Sequence, residues 1–193
     1  VARMLSDGPG GEGMARSSRK QALLDAALEQ FAQHGYEGTS VGTLADEVGV
    51  SKAAVSYHFP AKDDLAAELA EPLLDALDAV VPGENANPSW PEGVQHLIER
   101  YLDVLLTYPD VATWLEGDRA VRLNAPIGRR LTHINHRMRR AMIGRPLDPR
   151  ARVAAAVALG ALWRPVRNVP LEDVSRNRDL MIESALAPLR VVR

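Results

Sequence analysis

Cysteine is absent from the 193 residues. That removes disulfides, thiolate nucleophiles and cysteine-based zinc or iron–sulfur sites, and it fits a reducing compartment. No apolar run approaches the roughly eighteen residues that a membrane span needs, and the N-terminus lacks the apolar core of a signal peptide. The expectation is a cytoplasmic protein with no membrane partner. Lysine is scarce, with only Lys20, Lys52 and Lys62. No stretch alternates with the two-residue period of a strand for long enough to count, and no internal repeat is evident, so the expected fold class is all-α.

What is present is an ordinary globular composition, 46% hydrophobic and 25% charged, with a chain long enough to bury roughly 70% of its unfolded surface without a metal or a disulfide. Charge is unevenly spread. Residues 1–70 hold six Lys/Arg against ten Asp/Glu, a balance of −4, while residues 71–193 hold 17 against 15, or +2. If the first part binds nucleic acid, it must use a few placed cations, because the field of the whole segment is unfavourable.

Residues 1–17, rich in Gly and small polar residues, have no periodicity and are expected to be a disordered leader. From there Leu24, Ala27, Leu28 and Phe31 recur at helical spacing, with Ser18 to cap and His34-Gly35 to stop the helix. Thr39 or Ser40 can cap a second helix carrying Val41, Leu44, Ala45 and Val48, closed by Gly49. Ser51 caps a third helix of about seven residues, below the ~12–15 at which an isolated helix persists, so packing must hold it. Two helices joined by a Gly-containing turn, the second the shorter, is the sequence form of a helix-turn-helix. Val48, Val50, Val55 and Phe59 supply its small core, and Lys52, Ala53, Ser56 and Tyr57 point outward as i, i+4 pairs. Such a slim face suits a major groove: Lys52 can donate to guanine, Ala53 can touch a thymine methyl and Ser56 can bond a base or phosphate.

The run from Phe31 to Leu65 resembles the DNA-binding region of the TetR family of bacterial transcriptional repressors. The likeness rests on Phe31 with Gly35-Tyr36, Thr39-Ser40, Leu44-Ala45, Gly49-Val50-Ser51, Tyr57-His58-Phe59 and Lys62 with Leu65. It implies a three-helix DNA-binding domain over residues 18–62, with a larger helical domain over 63–193 that dimerises and takes a small-molecule effector. It also implies a double-stranded DNA operator, palindromic and bound by a homodimer, which the effector releases. By this resemblance Thr39, Lys52, Tyr57, His58 and Lys62 match DNA-contacting positions, with Lys62 the foremost phosphate candidate; together with Ser40, Ser51, Ala53 and Ser56 they make the expected DNA-contacting set. The stretch departs from the family pattern at four places. Gly42 stands where Arg or a polar residue is frequent, Ser56 where Tyr is usual, Ala54 where Thr or Ser is common, and Ala61 where a cap is usual.

Beyond Phe59-Pro60 a long helix starts with Asp63 and Asp64 in its first turn, and Pro72 is expected to kink or split it. Further helices are expected with breaks at Pro109, Pro126, Pro146/Pro149 and Pro165/Pro170. The effector candidates are His96, Tyr101, Trp114, His133, Met138 and Trp163, each also readable as core or interface. In "RRLTHINHRMRR" (129–140), Leu131, Ile134 and Met138 make an apolar side opposite Arg129, His133, His136/Arg137 and Arg140. His133 and His136 at i, i+3 are the basis of a rival reading as a metal-dependent or acid/base enzyme, though no carboxylate is near and no third ligand is evident. A cationic face and a plain solvated face are the other readings. The Ala-rich "ARVAAAVALGALW" and a helix from Asp173 to Leu189 are expected to pair as the dimer-forming surface. A DNA-incompetent dimeric scaffold is the third functional reading. Nothing calls for a cofactor or a metal, and the primary reading is not an enzyme.

Overall fold

The computed structural model describes residues 10–123, 125–144 and 148–192, leaving aside the side chains of residues 10–16 and 125. Among the described residues the backbone is helical and contains no strand. The elements are α1 Gly10–Gly38, α2 Val41–Val48, α3 Lys52–His58, α4 Lys62–Val80, α5 Glu92–Thr107, α6 Pro109–Gly117, α7 Arg119–Leu123, α8 Ala125–Ile143, α9 Pro149–Asn168, α10 Leu171–Arg176 and α11 Arg178–Leu186, with a 3₁₀ turn at Leu189–Val191. Two compact units divide between Ala66 and Ala67, inside α4. No described helix is long and apolar enough to cross a membrane.

In the first unit α1 leaves helical geometry at Gly35 (φ 75°, ψ 164°), where the sequence predicts a stop. Its buried edge is Leu23, Ala27 and Phe31, with Leu24 and Leu28 half-buried beside it, one residue around from the expected face. These pack with Tyr36, Leu44, Ala45, Val55, Phe59, Leu65 and Ala66. Residues 1–9 of the expected leader lie outside the described residues. Gly10–Ser17, expected to be disordered, are instead the start of α1, because extending a formed helix adds a hydrogen bond per residue without a new nucleus. The seven-residue α3 depends on burial of Val55 and of the following Phe59, each worth ~1.5–3 kcal/mol. Val48 and Val50, expected in that core, are only half-buried.

In the second unit α9 packs against α6, α8 and α11. Ala154, Ala155 and Ala158 are buried along it, and their small side chains allow the close approach expected from the Ala-rich run. Neither helix is divided at its inner proline: α4 runs through Pro72 and α9 through Pro165. Pro72 is exposed, so the bond its nitrogen cannot make is lost on a side where water substitutes. Conversely, the single helix expected from Asp173 to Leu189 is divided at Asn177 into α10 and α11. Asp118 separates α6 from α7, and its Oδ1 accepts from Ala120 N (2.8 Å) and caps α7.

Candidate nucleic-acid interface and effector cavity

Each cap of the helix-turn-helix lies where the sequence puts it. Ser40 Oγ accepts from Thr43 N (3.0 Å) at the start of α2, and Ser51 Oγ accepts from Ala54 N (3.2 Å) at the start of α3. Gly49 closes α2 at φ 72°, ψ 35°, a left-handed conformation that residues with a Cβ resist. Val50 N then donates to Ala45 O (2.9 Å) and turns the chain into α3. Val55 and Phe59 face inward, while Lys52, Ala53, Ser56 and Tyr57 are all exposed, Tyr57 to 64%. The predicted outward quartet is therefore presented on one side. His58 is half-buried, its ring between those of Tyr57 (5.4 Å) and Phe59 (6.4 Å).

Two of the expected contact residues are engaged within the domain. Thr39 is 2% exposed, and its hydroxyl donates to the Gly35 carbonyl (3.0 Å), bridging the break in α1. Lys62 is turned onto the same corner. Its Nζ donates to the carbonyls of Tyr36 (2.7 Å) and Thr39 (3.0 Å) and sits 4.2 Å from the centre of the Tyr36 ring. A helix end leaves carbonyls without partners, and Lys62 supplies the donors. The Tyr36 hydroxyl donates to Asp63 on the same helix turn. Ala61, which has no capping side chain, is served by Asp64, whose Oδ2 accepts from Ala61 N (2.9 Å) in the reciprocal half of a capping box.

Gly42 is the seat of the Lys52 side chain. A Cβ at this position would lie 2.8 Å from Lys52 Cε and 3.0 Å from Nζ. The lysine therefore lies across the first turn of α2, and the departure from the family pattern at Gly42 makes room for it. Gly42→Ala is expected to move Lys52, a flexible chain end, and to stabilise α2 by up to about 1 kcal/mol. Thermal unfolding reads the second effect and randomised-site DNA selection the first. Unaltered site preference would mean that the Gly42 seat does not direct Lys52.

In the second unit a cavity of about 220 Å³ lies between α6, α8 and α9, lined among others by Leu115, Leu131, Asn135, Arg139, Leu159 and Trp163. Behind it Trp163 Nε1 donates to the Tyr101 hydroxyl (3.0 Å), which donates to Asn135 Oδ1 (3.0 Å). Tyr101 is fully buried. Burial pushes its hydroxyl far above the usual tyrosine range, opposed by the Trp163 hydrogen bond and the Arg139 charge. Of the expected effector residues, Trp163 lines this cavity and Tyr101 backs it. Trp114 and Met138 are core residues, 2% and 0% exposed. His96 is exposed on α5 beside Glu99 (3.8 Å). His133 and His136 line a separate open groove with Arg122, Leu123, Gly128, Arg129 and Thr132. No carboxylate joins them there, and among the described residues no three His, Cys, Asp or Glu are grouped to hold a metal. Sequence reading missed Asn135 and Arg139, which signal themselves only through partners 34 positions away or on a neighbouring helix.

The cationic face expected on α8 is divided by the fold. Arg137 is tied to Asp78 (2.8 Å), and Arg130 to Asp78 (2.9 Å) and Asp75, on α4. Carboxylates on two sides push the Arg130 guanidinium further up, the Asp75 hydrogen bond most. Arg129 and both histidines remain on the open side.

A capped helix-turn-helix with an exposed second helix, joined to a larger helical unit with its own cavity, defines an all-α helix-turn-helix protein of two units. Residues 23–69 match the family model described as bacterial regulatory proteins, tetR family, so this N-terminal stretch is similar to the DNA-binding domain of that family. It is 32% identical over 98 residues to the HTH-type transcriptional regulator RutR of Escherichia coli K12, covering 51% of this chain and 46% of that one. It is 35% identical over 99 residues to the HTH-type transcriptional repressor AcnR of Corynebacterium diphtheriae, with coverage of 51% and 46%. The chain thus spans about half the length of these curated relatives. The crystal structure of PfmR, a TetR-family transcriptional regulator from Thermus thermophilus, superposes with a TM-score of 0.61 at 20% identity, over 87% of this chain and 97% of that one. At that identity the likeness is one of fold.

Proposed function

We propose that this protein is a DNA-binding transcriptional regulator of the ligand-responsive repressor type: a cytoplasmic homodimer that holds a palindromic operator until a small molecule binds its second unit. The observation that carries the reading is the outward face of α3, with Lys52, Ala53, Ser56 and Tyr57 all exposed on a helix capped at Ser51 and held by Val55. The face is narrow enough for a major groove and has donors at the N-terminal end, where base edges are reached. Thr39 and Lys62 brace the corner between α1 and α2 that precedes this face, and Ser40 has its capping role with an exposed side chain. A small molecule shifts the DNA-bound population only by its differential affinity for two states. The alternative enzyme reading draws no support from His133 and His136, whose groove brings up no third ligand among the described residues.

Selection of genomic fragments by the purified full chain, repeated with candidate metabolites, tests both halves of the reading. A short palindromic sequence should be enriched, and one class of metabolite should abolish the enrichment. No enrichment at low salt would overturn DNA binding.

Dimerisation is supported by exposed apolar side chains on the paired helices α9 and α11: Val153 (63%), Val157 (54%) and Leu180 (65%). Two recognition helices must meet successive major grooves roughly 34–36 Å apart, which a single chain cannot do. Val157→Glu is expected to convert a dimer to a monomer in light scattering and to weaken binding to a full palindrome at least tenfold. A variant that stays dimeric would place the interface on another surface.

A further inference from the structure

The polar end of the α6–α8–α9 cavity has a direction of hydrogen bonding fixed from behind. Trp163 Nε1 can only donate, so the Tyr101 oxygen receives that proton and gives its own to Asn135 Oδ1. Burial holds Tyr101 in its neutral hydroxyl form, so this relay keeps its sense across the physiological range. With Oδ1 committed, the Asn135 amide has only its Nδ2 donors left for the cavity it lines, and among the described residues nothing accepts from them. Arg139 stands beside it. Its Nε donates to the Asn135 backbone carbonyl (3.0 Å), which leaves the rest of the guanidinium with no carboxylate partner among the described residues. Arg122, on this wall and on that of the His133/His136 groove, has none among the described residues either. Glu116 is the one acid on the wall, and it is already bound by Arg167 (3.0 Å) and Arg164 (3.7 Å). The cavity wall therefore carries donors and positive charge beside the apolar surfaces of Leu115, Leu131, Leu159 and the Trp163 ring.

Resting on the effector-binding reading above, we propose that this cavity takes a compact, mainly apolar molecule bearing one carboxylate. The acid group is bound by Arg139 and the Asn135 amide, and the apolar body lies against the leucines and Trp163. The size follows from the volume: about 220 Å³ is below the ~300–1,000 Å³ of drug-sized sites. The charge follows from donors that an amide, alcohol or amine cannot satisfy as a carboxylate does, since a guanidinium and a carboxylate pair through two parallel hydrogen bonds.

The test is a set of matched pairs (benzoate and benzamide, phenylacetate and phenylacetamide, hexanoate and hexanamide) titrated into the full chain and followed by tryptophan fluorescence and melting temperature. At least one acid should bind at least tenfold more tightly than its amide. Arg139→Gln should remove that preference with the melting temperature of the free protein unchanged. Arg139→Lys should keep part of it, and Arg129→Gln, in the other groove, should keep all of it. No acid preference in any pair, including no binding by any acid, overturns the assignment, as does a preference that survives Arg139→Gln. Retention of genomic fragments is measured on the same preparation. DNA retention without acid preference removes the carboxylate assignment alone, and acid preference without DNA retention removes the regulator reading while the assignment stands.

Discussion

Lys62→Ala should lower the melting temperature of the DNA-binding unit by roughly 10 °C while leaving the salt dependence of residual DNA binding unaltered. The ammonium donates to two carbonyls at the corner between α1 and α2 and lies over the Tyr36 ring. Hydrogen bonds to a charged group contribute about 1.5–3 kcal/mol each, and partial exposure lets water recover part of that, so a net loss of about 2 kcal/mol is expected. In a unit this small, each kcal/mol moves the midpoint by ~4–8 °C. A lysine whose main work is at a DNA phosphate would behave differently: its removal would flatten the plot of log affinity against log salt by about 1 and leave the protein as stable as before. Thermal unfolding together with binding titrations at several salt concentrations separates the two. A stable variant with a flattened slope would return Lys62 to the phosphate backbone.

That lysine also marks where sequence reading stops. Ser40, Gly49 and Ser51 were legible as caps because capping is decided within three or four residues. The outward quartet of α3 was legible for the same reason, since i, i+4 geometry alone sorts Lys52 and Ser56 from Val55 and Phe59. Lys62 meets carbonyls 26 and 23 positions away, and no local pattern distinguishes such a lysine from one awaiting a phosphate. Gly42 reads in the sequence only as a departure from the family pattern, and the Lys52 stem lying where its side chain would be comes to light only in the fold. In the second unit the helical class and most boundaries follow from periodicity and proline, but neither Pro72 nor Pro165 divides its helix; at the exposed Pro72 water can substitute for the lost backbone bond. Of the cavity, the sequence offers Trp163 and Tyr101 as candidates but not their meeting. Its polar end is assembled by Tyr101 with Asn135 and Trp163, which lie 34 and 62 positions further along the chain.

Asp78→Ala should be the most damaging single substitution among the surface-reaching charges of the second unit, with an expected loss of about 2–3 kcal/mol. Asp78 Oδ1 accepts from Arg137 Nη2 (2.8 Å) and Oδ2 from Arg130 Nε (2.9 Å), so one carboxylate joins α4 to two turns of α8. Arg130 keeps Asp75 when Asp78 is lost. Arg137 keeps only the carbonyls of residues 78 and 81, at 3.4 and 3.2 Å. Its side chain is 15% exposed and its Nε already lacks a partner among the described residues. Removing one member of a buried pair costs about 3–5 kcal/mol because a charge is left without compensation, and the 31% exposure of Asp78 trims that figure. The cost should depend on Arg137 being charged. In a double-mutant cycle with Arg137→Met, the double variant is expected to be at least about 1 kcal/mol more stable than the sum of the two single losses predicts. Urea unfolding of the four proteins measures this. Strict additivity would mean that the stranded guanidinium is not what makes Asp78 matter.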